Sequence, residues 1–413
     1  MPDYLGTLAA VRCLGARGSA VTVAGSHLLS PARWSRHASR AITCPSPRDW
    51  RAFIEWLLRY GEENPGTFLY PTSDDIVWLF ARHEAELRAR FLLFQPPAQT
   101  LYALLDKRRL HAACARAGVD TVPSWLPQSE AELLALAPQL PYPILLKPVT
   151  QAMLRSLHKG SLAWSATELA ESFRARLAAD RYPPDMEEVL GPLSAPILQR
   201  FCESAEGGIH SLSGFVDREG ALLGARASIK VLQRPKRIGI GLCFESTPVD
   251  PRLADAAVRL CRELGYFGIF EAEFIVEGGR AMLIDFNPRF YGQMGFEDAR
   301  GLPLALFAML GAMGDEAGLR ALAQESERAA SHETSIYCHR FFFELILGLR
   351  SAAGSLTAEE RRRWHAWHRA HRERAFDASA SLADPLPGLV HATAELWSAA
   401  RHPRAFLRGL RDA

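Results

Sequence analysis

Between Phe270 and Asp285 apolar residues alternate with polar ones around a Glu277-Gly278-Gly279 turn, the pattern of a β-hairpin. Glu273 falls in the first strand and Asp285 ends the second. They are twelve residues apart, an even spacing, and a short turn brings the two close together in space. Like charges facing each other across a hairpin repel unless a cation lies between them. Two carboxylates with the amide oxygen of Asn287 make a hard, all-oxygen set suited to Mg²⁺. Arg289, two residues past that amide, is placed to grip a phosphate carried by the metal. The run from Asp285 to Arg289 therefore reads as the metal and phosphate end of a nucleoside triphosphate site.

The rest of the chain sets the frame for this hairpin. Its 413 residues suffice for two or three domains with proper cores. A hydrophobic content of 48% and a charged content of 23% are those of an ordinary soluble globular protein. A net charge of +2 argues against a nucleic-acid binder held by bulk electrostatics. Cys13, Cys44, Cys114, Cys202, Cys243, Cys261 and Cys338 form no CxxC pair and no cluster with histidine, which favours free thiols. No stretch reaches the roughly 18–20 apolar residues that span a bilayer. The apolar start from Leu5 to Ala24 is broken by Arg12, Arg17 and three glycines and lacks a signal-peptide layout, so a cytoplasmic location is expected.

Along the first hundred residues helix-like and strand-like stretches alternate, which predicts a parallel sheet covered by helices. Thr7 to Leu14 reads as helix, Ala20 to Ala24 as strand, Asp49 to Tyr60 as helix, Thr67 to Tyr70 as strand and Ile76 to Arg90 as helix. Only about four residues precede the first helix, so the strand that usually opens such a sheet is expected to be missing or truncated. Asp74 and Asp75 stand where a strand of this leading part ends, a position that often faces a substrate cleft. Next come a helix over Leu101 to Ala117, a short helix over Glu130 to Ala137 and a strand over Pro143 to Pro148 that carries Lys147 at its end. A strand over Ile197 to Phe201, a hairpin of His210 to Val216 with Ala221 to Val231, and a helix over Pro251 to Leu264 lead into the opening hairpin. Beyond about Gly314 the pattern is helical, including Thr334 to Leu349. His365, His368 and His371 recur at helical intervals beside Trp364 and Trp367 and read as a packed or solvated helix face rather than a metal site.

A helix lysine (Lys107), a strand lysine (Lys147), the Gln199-Arg200-Phe201-Cys202 segment with acids beyond it, and Glu273…Asp285-Phe286-Asn287-Pro288-Arg289 occur in one order across 182 residues, from 107 to 289. That order resembles the ATP-grasp superfamily of biotin carboxylase, D-alanine–D-alanine ligase and carbamoyl-phosphate synthetase, in the flavour carrying the run Asn287 to Gly292. The resemblance covers roughly residues 1 to 325. It implies an α/β (α+β ATP-grasp) fold: a leading α/β domain over 1–98, a two-lobed ATP-grasp domain over 99–325, and a helical C-terminal region over 326–413.

The same resemblance assigns roles by position. Lys107 and Lys147 match the lysines that neutralise the α- and β-phosphates. Gln199, Arg200, Phe201 and Cys202 match the hinge that receives adenine. Glu206 matches the acid on the ribose hydroxyls, with Glu203 in reserve. Glu273, Asp285 and Asn287 match the magnesium ligands, with Glu271 as the alternative; most relatives have Glu where this chain has Asp285. Arg289 matches the arginine on the γ-phosphate. Two basic stretches flank these positions. One is the glycine-poor loop from Thr150 to Gly160, with Arg155, His158 and Lys159. The other is Lys230, Arg234, Lys236 and Arg237, followed by a loop read as mobile at Gly239-Ile240-Gly241. Both are candidates to cover the phosphates, with Lys230 the best placed.

The implied activity is an ATP- and Mg²⁺-dependent ligase, with Mn²⁺ as an alternative metal. It would join a small-molecule carboxylate to an amine through an acyl phosphate, releasing ADP and phosphate, with Gly292 and Gln293 placed to meet the acceptor. The rival readings are an ATP-grasp phosphotransferase or carboxylase-type enzyme, and a non-catalytic nucleotide-binding protein acting through its basic C-terminal helices. No nucleic-acid partner and no transmembrane segment are expected, and a homodimer is left open.

Overall fold

The computed structural model describes residues 3–154, 160–234, 238–331, 333–352, 354 and 356–403. Arg155, His158, Lys159, Lys236 and Arg237 lie outside the described residues.

The leading part opens on the helix Leu5–Ala16. Its strands are short and parallel, as the alternation predicts, but they form two separate pairs: Thr22–Gly25 with Arg40–Thr43, and Phe68–Leu69 with Leu92–Leu93. Asp49 caps the helix Trp50–Glu63, and Ser73 caps Asp74–Arg82, each side chain accepting a backbone N–H of the first turn.

The helix expected over Leu101 to Ala117 is two helices, Ala98–Leu105 and Lys107–Ala117, broken at Asp106. Asp106 is wholly buried, accepts the N–H of Arg108 and binds its guanidinium at 2.7 Å. This cap turns the chain so that Lys107 begins the second helix. Asp106→Ala should cost about 3 kcal/mol, combining the lost cap with two arginines left short of a partner. The check is a lower urea midpoint at an unchanged slope; an unshifted midpoint would show that the cap carries no energy.

A four-stranded antiparallel sheet follows, ordered Ser124–Trp125, Ile197–Arg200, Ile144–Lys147 and Ser161–Ala163. The helices Glu130–Leu136 and Ala166–Ala179 cover it through Leu133, Leu169 and Phe173, which pack on Ile144, Leu146 and Leu198. The second of these helices has no counterpart in the sequence reading.

The larger sheet has seven strands. At one end lies the opening hairpin, Gly268–Glu277 with Arg280–Asn287, and then Ile209–Val216, Leu222–Arg234 and Ile240–Thr247, all antiparallel. Ile240 and Gly241, expected in a mobile loop, begin a strand that pairs with Leu222–Arg234, because the alternating residues beyond them bury Leu242 and Phe244. The C-terminal region, expected to be helical, also adds two short strands, Ile336–Cys338 and Ala375–Asp377, so residues 336–338 are strand and the helix starts only at Arg340. Strands of three residues leave too little periodicity to be read.

Alternation gives the large sheet two unlike faces. Phe270, Ala272, Phe274 and Phe286 belong to the main apolar core, together with Leu253, Ala256, Ala257 and Leu260 of the helix Pro251–Leu264. The residues between them, Glu271, Glu273, Asp285 and Asn287, point the other way, alongside Ser211, Ser213, Ser228 and Lys230 of the neighbouring strands. All seven cysteines are free and buried. No helix among the described residues is long and apolar enough to cross a membrane.

Candidate active site

The register of the opening hairpin sets Glu273 opposite Asp285 and Glu271 opposite Asn287, and it shifts directly after Glu273. An irregularity there re-aims side chains at the end of a ladder, as is common beside functional sites. The two carboxylates face each other as the sequence implies, and each carries a lysine. Lys107 Nζ donates to Asp285 Oδ1 at 2.7 Å, and Lys230 Nζ donates to Glu273 Oε1.

Burial alone would lower the pKa of each of these ammonium groups. It is the largest influence on each, but Asp285, Asp74 and Glu273 together outweigh it at Lys107, and Glu273, Glu271 and Asp285 together do so at Lys230, so both are held above the usual lysine range. Burial would also raise the Asp285 carboxyl, yet Lys107, Lys147 and Arg289 hold it down to about 2. Lys147, at the end of an inner strand of the small sheet, donates to Gln199 Oε1 at 2.9 Å and has no carboxylate of its own among the described residues. Burial and Lys107 pull it down to about 8 against Asp285 and Glu273. Three lysines and two carboxylates, from a helix start and from both sheets, thus share one electrostatic neighbourhood.

Glu271 is buried behind this pair. It accepts from Ser211 Oγ and Gln293 Nε2, both at 2.7 Å, and from Asn287 Nδ2 at 2.6 Å, and burial with the charge of Glu273 raises its pKa. Its lone pairs are committed to orienting Asn287 and Gln293. Asn287 Oδ1 in turn accepts from Arg289 at 2.8 Å. Among the described residues no group of three or more His, Cys, Asp or Glu side chains gathers into a metal site. The oxygen set is therefore two carboxylates and an amide, a chemistry that fits a hard divalent cation bound partly through other ligands.

Arg289 is held through all three of its nitrogens. Its Nε donates to Asp74 Oδ1, Nη1 to the Phe290 carbonyl at 3.0 Å, and Nη2 to Asn287. Asp75, whose pKa burial raises, accepts the N–H of Met153 at 2.6 Å in the segment after the strand lysine. Lys107 N–H also bonds the Val149 carbonyl of that segment, so the helix lysine and the stretch after Lys147 are fixed to each other.

The hinge candidates follow the strand Ile197–Arg200. Arg200 donates its N–H to Pro123 and its guanidinium to Glu277, while Cys202 is buried among Val122, Ile209 and Ile284. Of the hinge candidates, the Arg200 N–H is thus already bonded within the protein. Glu203 and Glu206 are exposed beside a single 3-10 turn.

Asp74, singled out in the sequence for its place at a strand end, reaches Arg289 across 215 positions. Two residues were missed by sequence reasoning, His111 and Glu297. His111, one turn past Lys107, is pushed down to about 4 by burial and by Lys107 and Lys147. Glu297 is fully buried beside Arg300, and burial lifts it to about 7. Only helical spacing from Lys107 could have signalled one of them, His111.

No family model matches the chain. It is 27% identical over 247 residues to the carbamoyl phosphate synthase large chain of Thermus thermophilus, an alignment covering 56% of this chain and 22% of that one. The chain thus spans about a fifth of that relative's length. The biotin carboxylase domain dimer of the Hydrogenobacter thermophilus 2-oxoglutarate carboxylase, solved with MgADP, ADP and bicarbonate, superposes with a TM-score of 0.56 at 19% identity, covering 76% of this chain and 68% of that one. The L-amino acid ligase of Bacillus licheniformis gives 0.55 at 14% identity, with 75% and 72% covered. These likenesses show that the chain shares the fold of the biotin carboxylase domain and of the L-amino acid ligase.

Proposed function

We propose that the protein is an ATP-dependent ligase that activates a carboxylate as its acyl phosphate and passes the acyl group to an amine. The lysine–carboxylate alternation around Asp285 supports this reading most directly. Lysines that hold carboxylates can exchange them for phosphate oxygens, leaving Glu273 and Asp285 to a metal. Lys107 and Lys147 would then neutralise the α- and β-phosphates, and Phe201 and Cys202 would meet the adenine, with Glu206 near the ribose. Glu273, Asp285 and the amide oxygen of Asn287 would hold Mg²⁺, which supplies neutralisation of charge on the transferring phosphate. Arg289 would stabilise the γ-phosphoryl group, with Lys230 beside it. Gly292 and Gln293 follow Arg289 and would border the acceptor. The likeness to carboxylase domains favours a second reading, in which bicarbonate is the carboxylate.

The test is ADP and phosphate release over a panel of carboxylic acids, bicarbonate included, with hydroxylamine present to trap acyl phosphate as hydroxamate. Hydroxamate with an organic acid supports the ligase. ADP release with bicarbonate alone supports the carboxylase, and tight ATP binding without either product sinks both.

Lys147 supplies a pH prediction. Its pKa of about 8 in the free protein lies below the usual lysine range, so it loses its proton as pH rises through 8. A bound polyphosphate restores that proton. ATP binding should take up protons at pH 8.5 to 9, about half to one per site, and almost none from this group near pH 6.5. Calorimetry in buffers of different ionisation enthalpy measures the uptake, and Lys147→Met should remove it. Uptake that survives the substitution would assign the proton elsewhere.

A further inference from the structure

Asp74 opens the helix Asp74–Arg82 in the leading part of the chain and reaches Nε of Arg289, 215 positions away. The contact is partly enclosed, with side-chain exposures of 23% and 16%. Asp75, the next residue, holds the Met153 N–H, so a single helix start touches both the arginine and the segment after the strand lysine. Among the described residues Asp74 forms its one ion pair with Arg289.

On the ligase reading, on which this inference rests, Arg289 turns to the γ-phosphate. All three of its nitrogens are engaged, so that turn loosens it from Asp74. A partly enclosed carboxylate deprived of its cation is costly, and a new cation in its place removes the cost. Apart from the metal, the cation that the reaction brings to this spot is the protonated amine of the second substrate. We propose that Asp74 binds the ammonium group of the acceptor amine, taking it up as Arg289 passes to the phosphate; the ammonium then gives one proton to the Asp74 carboxylate, and its nitrogen bonds the acyl carbon as the bond to phosphate breaks and phosphate leaves. The acceptor is accordingly an amine that arrives charged, and the leading part of the chain selects it.

Two measurements test this. Asp74 exchanges one cation for another, so an ammonium ion and MgATP should favour each other's binding. Methylammonium chloride should tighten MgATP binding about fivefold relative to equal sodium chloride. Asp74→Asn should abolish that coupling while binding MgATP at least as tightly, and Asp74→Glu should keep part of it. In turnover, methylamine and hydroxylamine are nearly equal in size, but only methylamine is charged at neutral pH. Asp74→Asn should lower the ratio of methylamine-dependent to hydroxylamine-dependent product about tenfold or more. Absence of coupling in the wild-type protein, or an unchanged ratio in Asp74→Asn, overturns the proposal even where hydroxamate forms and the ligase reading stands. Failure to form hydroxamate sinks the ligase reading separately, and the methylammonium coupling still decides whether Asp74 holds a cation.

Discussion

Asp285→Asn should reduce Mg²⁺-dependent ATP turnover by more than about a hundredfold, since even residues that only orient metal ligands typically cost 10–100-fold. The substitution removes one of two facing carboxylates and leaves the strand pairing of Arg280–Asn287 untouched. It also releases Lys107, which now spends its ammonium on that carboxylate. The variant site is more positive by one charge, so metal-free ATP should bind at least as tightly as to the wild type while turnover disappears. Calorimetry without metal and ADP release with metal separate these effects. Turnover within about threefold of wild type would remove Asp285 from the metal site.

Arg289→Lys carries the second large effect. The charge stays, so Asp74 keeps a cationic neighbour and the fold should hold, but the planar fork that joins Asp74, Asn287 and the Phe290 carbonyl is lost. If Arg289 stabilises charge on the transferring phosphoryl group, kcat should fall about 10²–10³-fold with the KM for ATP within about threefold, the pattern of an interaction made chiefly in the transition state. A raised KM with an intact kcat would instead make Arg289 a ground-state binder.

The parts of the site that lie on one hairpin were legible in the sequence strand by strand. Period-two alternation puts Glu271 with Glu273 on one face of their strand and Asp285 with Asn287 on one face of theirs, but regular pairing from the Gly278-Gly279 turn would set Glu273 opposite Ile284, and only the register shift after Glu273 brings Asp285 opposite it. Lys147 was legible for a related reason, since an ammonium ending an apolar strand requires a polar cleft. The pairings among these groups were not legible. Lys107 with Asp285, Lys230 with Glu273 and Arg289 with Asp74 are 178, 43 and 215 positions apart, and nothing local selects one carboxylate over another. The misread segments share a different cause. Gly239-Ile240-Gly241 reads as a loop because glycine dominates three residues, although the strand's apolar alternation begins just beyond them. Residues 336–338 and 375–377 are strands because a neighbouring edge accepts them, a tertiary reason without a local trace.

Asp384 binds Arg12 at 2.9 Å, the Ser35 hydroxyl at 2.7 Å and the Arg36 N–H at 2.9 Å, and it is almost wholly buried in doing so. The leading part of the chain is therefore finished by a residue made some 350 positions later. During synthesis at about 5–20 residues per second, Arg12 and Ser35 wait tens of seconds for that carboxylate. Independent expression of the leading part should consequently give a loosened species, and supplying the C-terminal region in trans should tighten it. A segment made well before the C-terminal region is thus among the last to reach its final packing.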